Sequence, residues 1–403
     1  MAWDQTRLLA VATLSTALVL GSLWYNDVVT VEIKWPVRGK KGISKMKTGF
    51  VAPKGIEQLI GNTPMVRINS LSDATGCEIY GKMEVQNPGG SAKDRVALAI
   101  IENAEAQNLI TPHSGDMIFE GTSGSTGISL AMLCRAKGYI AHIVVPDDTS
   151  QEKVDLLENL GAVVHKVRPA GIADPKQYVN YAKAAAMEIN NNPENKHRAL
   201  FADQFENEAN WKTHYDHTGP EIYSQISEVL PKGKTLDAFI TGAGTGGTIS
   251  GVSKYLKERL PHVKVVISDP PGSGFYNKVK YGVMFDLKEK EGTRRRHQVD
   301  TVVEGIGLNR ITRNFSAGSD YIDDAIRVKD EESVKMAKYL VDNDGLFVGS
   351  SSAVNCVATY KYAKQLGPGH TIVTILCDSG SRHLSKFWKL AKESASIKDL
   401  SQL

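Results

Sequence analysis

The chain has 403 residues, 41% of them hydrophobic and 23% charged, which is enough for two domains and a large buried core. A net charge of +3 from 48 basic and 45 acidic side chains gives no basis for nucleic-acid binding, and no zinc-finger or aromatic-basic motif accompanies it. Cys77, Cys134, Cys356 and Cys377 lie far apart without CxxC spacing, so free thiols are expected rather than a metal site or redox pair.

The N-terminus differs from the rest. Residues 8–25, LLAVATLSTALVLGSLWY, carry no charge and close on Trp24 and Tyr25, as membrane-spanning segments do. A cleaved secretory signal would show a small-residue cleavage site, and a matrix presequence would be Arg-rich and amphipathic; neither pattern is present. A retained single anchor is the expectation. Lys34, Arg38, Lys40, Lys41, Lys45 and Lys47 follow the apolar run, against Arg7 before it, which places the C-terminal body in the cytosol. A short anchor with a basic flank suits the mitochondrial outer membrane, with the endoplasmic reticulum as alternative; residues 26–54 read as a basic tether, so that 1–54 form the anchor and tether.

From about Gly55 short apolar runs alternate with helical periods. The pattern predicts strands at 115–120, 140–146, 162–167, 237–242, 263–269 and 371–377. Helices are predicted at 127–138, 150–162, 248–260, 331–343 and 352–366. Such alternation implies mainly parallel sheets flanked by helices. The charged run 286–298 reads as a solvated loop.

Ligands in such folds bind where strands give way to helices, and four loops stand out there. In NPGGSAKDR (87–95), Lys93 stands at a helix start, where the helix dipole and burial disfavour its charge and leave a nucleophilic amine. An isolated lysine would be read as a surface cap residue; its loop argues otherwise. EGTSGSTGIS (120–129) sets hydroxyls and amides at a helix N-terminus, an anion site suited to a carboxylate. TGAGTGGTISG (241–251) superficially resembles a dinucleotide fingerprint, but a monophosphate cradle fits better, with glycine packing between helix and sheet as the competing explanation. LCDSGSRHL (376–384) follows the last strand, and Ser379 there is either a strand-end cap or a hydroxyl aimed at a ring nitrogen.

A Schiff-base lysine, a phosphate cradle, a carboxylate loop and a ring-nitrogen partner are what pyridoxal phosphate requires when it acts on an amino acid. With these loops, IGNTPMVRIN (60–69) and QFENEANWKTHYDHTGPEI (204–222), the chain resembles the fold-type II, β-replacing pyridoxal-phosphate enzymes, cysteine synthase and cystathionine β-synthase. Within them it resembles a membrane-anchored, mitochondrial cysteine synthase-like subgroup. The resemblance implies a homodimer of two-domain chains with twisted, mainly parallel sheets. Residues 86–206 would form the smaller, mobile substrate-binding domain, and 55–85 with 207–403 the larger domain holding the cofactor phosphate.

The resemblance also implies residue roles. Lys93 would carry the cofactor and move the Cα proton. Thr122, Ser123, Gly124, Thr126 and Gln204 would grip the substrate carboxylate. Gly244, Thr245, Gly246, Gly247 and Thr248 would hold the phosphate, and Ser379 would face the ring nitrogen. His214 and His217 are read as structural polar residues. The implied reaction converts O-acetyl-L-serine and sulfide to L-cysteine and acetate through an aminoacrylate. One position departs: Ser125, implied to bind the cofactor, stands where the family's TSGNT pattern has an asparagine that contacts the cofactor's ring oxygen and the substrate, which leaves cysteine desulfhydration open as the alternative, and more remotely a tethered pseudoenzyme.

Overall fold

The computed structural model describes residues 52–288 and 301–403. The 8–25 segment, the tether up to residue 51 and the charged run from 289 onward lie outside the described residues. Among the described residues no helix is long and apolar enough to cross a membrane.

Two sheets organise the body. The larger has six strands in the order β1(Met65–Arg67)-β2(Glu78–Met83)-β10(Thr371–Leu376)-β7(Ala238–Gly242)-β8(Lys264–Asp269)-β9(Asp324–Arg327). All its pairs are parallel except β1 with β2. The smaller is an all-parallel sheet of four, β5(Val163–Val167)-β4(Ile140–Pro146)-β3(Met117–Gly121)-β6(Ala199–Phe201).

Sequence dictates which strands lie inside. ITG of β7, VVIS of β8 and all of TIVTIL in β10 are buried on both faces, as continuous apolar runs in a helix-covered parallel sheet should be. Phe239, Val265, Ile267, Val373 and Ile375 pack with Phe275 and Phe315 on one face. Ile240, Val266, Ile372 and Leu376 pack with Ile79, Val354 and Val357 on the other. In the smaller sheet Ile118, Ile143 and Val145 pack against Leu130, Leu133 and Ile100 from two helices. Its edge strand β5 is only partly buried, and each helix-period expectation matches a helix within a few residues.

Both sheets have a place where strand order reverses. In the smaller sheet the chain runs from β3 outward to β4 and β5, then returns to put β6 on the other side of β3. In the larger it runs from β7 to β8 and β9, then returns to put β10 beside β7. The carboxyl ends of strands at such a switch point leave a crevice; the predicted loops after β3, β7 and β10 open there, and the lysine loop follows β2, the parallel neighbour of β10.

Candidate active site

A cavity of about 290 Å³ lies at those strand ends. Lys93, Thr122, Ser123, Gly124, Ser125, Thr126, Gln204, Gly244, Thr245, Gly246, Gly247 and Thr248 all line it. Ser379 does not. Its hydroxyl accepts the Ser381 N–H as the cap of the turn Gly380–Arg382, the strand-end role that the sequence left open. Ser351, buried at the start of helix Ser350–Leu366, lines the wall instead.

Lys93 is the first residue of helix Lys93–Ala106, and Gly90, with φ +81°, makes the turn that delivers it. The Lys93 amine hydrogen-bonds to no described residue. Burial lowers its pKa, with partial opposition from the nearby Cys377 and Asp378. Cys377 itself lines the cavity as a neutral thiol, pushed up to about 11 mainly by burial. The partner-free amine therefore sits where its uncharged form is favoured.

The lysine loop is braced from two sides. Asp94 accepts the Gly89 N–H and the Ser129 hydroxyl, both at 2.5 Å, which ties the loop to helix Ser125–Lys137. Burial raises the Asp94 pKa against those hydrogen bonds. Below it Arg95 grips two carboxylates at once: Nε and Nη2 donate to Glu84 at 2.7 and 2.9 Å, and Nη1 and Nη2 to Glu221 at 2.8 and 2.7 Å. Lys82 pairs with Glu221 at 2.6 Å, Thr63 donates to Glu84 at 2.7 Å, and Asn87 donates to Glu84 at 3.0 Å. Burial would raise the Glu221 pKa, but hydrogen bonds and charge from Arg95, then Lys82, outweigh it and hold the group at about 2. Thr63, Asn87, Arg95 and Glu221 come from IGNTP, NPGGSAKDR and HTGPEI, so one buried ionic cluster joins motifs that sequence reading could only set side by side.

The carboxylate loop follows β3 and Gln204 follows β6. These strands pair directly, with Phe119 opposite Phe201. Thr126 Oγ1 donates to Gln204 Oε1 at 2.6 Å, and Gln204 Nε2 donates to Glu120 Oε1 at 3.2 Å. Glu120, fully buried at the end of β3, is a residue that motif reading missed. Burial drives its pKa up to about 8 despite the hydrogen bonds from Gln204. Because the folded value lies above that of the unfolded chain, the folded state holds an extra proton between about pH 4.5 and 8. Stability attributable to this group is thus complete below that window and falls as pH rises through it. In Glu120→Gln, melting temperatures measured from pH 6 to 9 are expected to decline less than in the wild type; parallel curves would show that Glu120 does not titrate in this way.

The third loop leads into helix Gly247–Arg259. Gly246 has φ +88°, and a Cβ there would meet the Phe315 backbone at 2.6 Å; one on Gly247 would meet Asn210 Oδ1 at 1.9 Å. The glycines therefore answer to close packing, as the competing explanation held. That packing also leaves the amide N–H groups of Gly246 and Gly247 without an acceptor among the described residues. Asn210 donates to Thr245 Oγ1 at 2.9 Å, and Thr248 Oγ1 lies 3.1 Å from His214 Nε2. His214 is buried, and burial first, then Arg95 and Lys93, keeps its pKa well below 6.5, so it supports the loop as a neutral ring. His217 is exposed and does not line the cavity.

Unpaired amides, hydroxyls and a helix N-terminus, with no carboxylate in the loop, are a donor set for a phosphate dianion. A lysine amine whose charged form burial disfavours, across the same cavity, is a carbonyl-capturing group. Together with the two switch-point sheets, these features define an α/β enzyme that holds a phosphorylated carbonyl cofactor between two sheets. The chain belongs to the pyridoxal-phosphate dependent enzyme family, whose model matches residues 56–378. It is 63% identical over 342 residues to a candidate mitochondrial cysteine synthase of Saccharomyces cerevisiae, covering 84% of this chain and 85% of that one. It is 60% identical over 347 residues to cysteine synthase 2 of Emericella nidulans, covering 84% and 80%. Among solved structures, a hydrogen sulfide-producing enzyme of Fusobacterium nucleatum matches with a TM-score of 0.69 at 32% identity, over 83% of this chain and 99% of that one.

Proposed function

We propose that the chain is a pyridoxal-phosphate dependent cysteine synthase, forming L-cysteine and acetate from O-acetyl-L-serine and sulfide. The observation that carries this reading is the partner-free, partly buried Lys93 amine sharing one cavity with an amide-and-hydroxyl cradle and a second hydroxyl loop. The two fungal relatives at 60% and 63% identity, whose names give cysteine synthesis, support the choice of reaction.

In this reading the cradle 244–248 would take the cofactor phosphate, and Lys93 would be the residue that holds the cofactor covalently. When bound, the cofactor supplies the electron sink for α-proton loss and departure of the β-acetate. Thr122, Ser123, Gly124 and Thr126 bind the substrate carboxylate, and Gln204, anchored on Glu120, completes that pocket. This fixes Cα beside the freed Lys93 amine, which takes the α-proton and returns it after sulfide adds at Cβ. Ser351, which lines the cavity where Ser379 does not, would be the hydroxyl available to the ring nitrogen in place of Ser379. A neutral hydroxyl there does not stabilise a protonated ring, which favours β-elimination over transamination. The lobe of residues 86–206 is the part that closes over the substrate and excludes water.

The same lysine chemistry run on cysteine alone would release sulfide, pyruvate and ammonia, and the relative from Fusobacterium nucleatum carries a sulfide-producing name. The test gives purified protein O-acetyl-L-serine with sulfide in one assay and cysteine alone in another. Cysteine as the faster product supports the proposal; faster sulfide release from cysteine overturns it. A protein that binds no cofactor and stays colourless would point to the pseudoenzyme.

We also propose a mitochondrial location for a homodimer, with residues 8–25 as a single outer-membrane anchor and the catalytic body in the cytosol. The name of the Saccharomyces cerevisiae relative supports the mitochondrial location, and the uncharged 8–25 run with its basic flank supports the anchor. A C-terminal tag on intact mitochondria should be removed by added protease; protection of the tag would reverse the orientation, and a tag found in endoplasmic reticulum would change the membrane.

A further inference from the structure

Arg382 ends the turn Gly380–Arg382 after the last strand, and it does not line the cavity that holds Lys93. It lines an adjoining cavity of about 490 Å³, which shares Ser123, Gly124 and Ser125 with the first. Ser125 therefore forms part of the wall between the two. Across that wall Arg382 Nη1 donates to Ser125 Oγ at 3.1 Å. Nη2 lies over Gly90, where an added Cβ would come within 3.0 Å of it.

The guanidinium is partly buried, and burial lowers its pKa against the attraction of Asp378 and Asp94. Among the described residues it forms no ion pair. A desolvated guanidinium without a carboxylate partner is costly to keep, so its place calls for a purpose other than pairing. The hydrogen bond to Ser125 supplies one. A hydroxyl has a single proton, and its oxygen can accept while that proton is donated elsewhere. With Oγ occupied by Arg382 on one side, the Ser125 proton is directed to the other, and no described residue accepts it.

We propose that Arg382 is a positioning residue that fixes Ser125 as a hydrogen-bond donor to an anionic oxygen held in the Lys93 cavity. That oxygen is either the phenolate of the cofactor ring or the carboxylate of the amino-acid substrate, so the inference rests on the function proposed above. It gives the Ser125 departure a physical account. An asparagine amide carries its own planar donor, whereas a serine hydroxyl rotates freely unless something holds its oxygen.

The test compares Arg382→Gln, Ser125→Ala, the double variant, and Arg382→Gln in a Ser125→Asn background, all as cofactor-loaded protein. The visible absorption of the bound cofactor is read without substrate, and kcat and KM are read for O-acetyl-L-serine. Each single change is expected to shift the spectrum or the kinetics alike, with a rate loss of about tenfold, the scale of one charged hydrogen bond. The double variant should be no worse than Ser125→Ala, because both remove the same interaction. In the asparagine background the Arg382→Gln penalty should shrink. A spectral shift without substrate assigns the ring oxygen; an unchanged spectrum with raised KM assigns the carboxylate. Additive losses, or an Arg382→Gln protein that loses melting temperature while its spectrum and kinetics stay as in wild type, would overturn the proposal. If wild type carries a cofactor spectrum but makes no cysteine, the reaction reading fails while the spectral comparison still judges Arg382.

Discussion

Replacing Lys93 with alanine is expected to abolish the visible absorption of the bound cofactor and to lower cysteine formation by on the order of 10³-fold or more. Two functions go with one amine: the covalent hold on the cofactor, and the proton transfer at Cα. No other residue can substitute. Among the cavity-lining residues the only other ionisable side chains are Tyr178, a phenol, Cys377, a neutral thiol at ordinary pH, and Asp378, which accepts from His383 Nε2 at 3.0 Å. Arginine at this position would keep a charge but supply no nucleophile, so Lys93→Arg should be equally colourless. The variant should nevertheless fold. The Lys93 amine makes no hydrogen bond to a described residue, and removing it also removes a group whose charge is penalised by burial. A melting temperature near or above that of the cofactor-free wild type is thus expected alongside the lost activity. Retention of more than about a tenth of the rate would show that proton transfer belongs to another group. Partial recovery of turnover on adding a small primary amine would tie the defect to the missing amine rather than to a displaced loop.

Much of this site was legible because its chemistry lies on the backbone of loops at the ends of strands. The apolar runs of β3, β7 and β10 announce themselves, and the loop after each must open at the sheet's carboxyl edge. The hydroxyl loop after β3 and the glycines after β7 could be placed on that ground; Lys93 follows β2, which the sequence pattern does not pick out, and its Pro-Gly-Gly-Ser loop at a helix start marks it instead. Ser379 could not, because Ser351 and Ser379 both sit beside the end of β10 and only three-dimensional packing decides which one turns inward. The short elements were also hard to read. β1, β6 and β9 are three or four residues long, too brief for a period to show, and are set by pairing with longer neighbours. Glu120 illustrates a further limit: a glutamate closing an apolar strand looks like an exposed end, and only the arrival of β6 with Gln204 buries it.

Arg95→Met is expected to destabilise the protein by about 3–5 kcal/mol, the cost of removing one partner from a buried ionic cluster. The guanidinium holds Glu84, fully buried, and Glu221, mostly buried, through four hydrogen bonds of 2.7–2.9 Å. Without it Glu84 keeps only the hydrogen bonds from Thr63 and Asn87, and Glu221 keeps Lys82 and the Asn62 N–H. Lysine is not a mild replacement, since one ammonium cannot span two carboxylates bidentately. The pH dependence gives an independent signature. Glu221 has a folded pKa of about 2, below its ordinary 4.5, so the stability it contributes is present above about pH 4.5 and is lost as pH falls toward 2. In Arg95→Met the first of its two cationic partners is gone, its folded pKa should rise, and stability between pH 5 and 3 should fall less steeply than in wild type. Cofactor affinity should weaken as well, because Arg95 stands two residues beyond Lys93 in the same helix and anchors the loop that presents it. Urea unfolding at pH 7 and pH 4, with cofactor release followed by absorbance, reads all three effects. A variant within about 1 kcal/mol of wild type at pH 7 would mean that the cluster's desolvation cost cancels its attraction; the lysine loop would then owe its position to Asp94 and its contacts with Gly89 and Ser129.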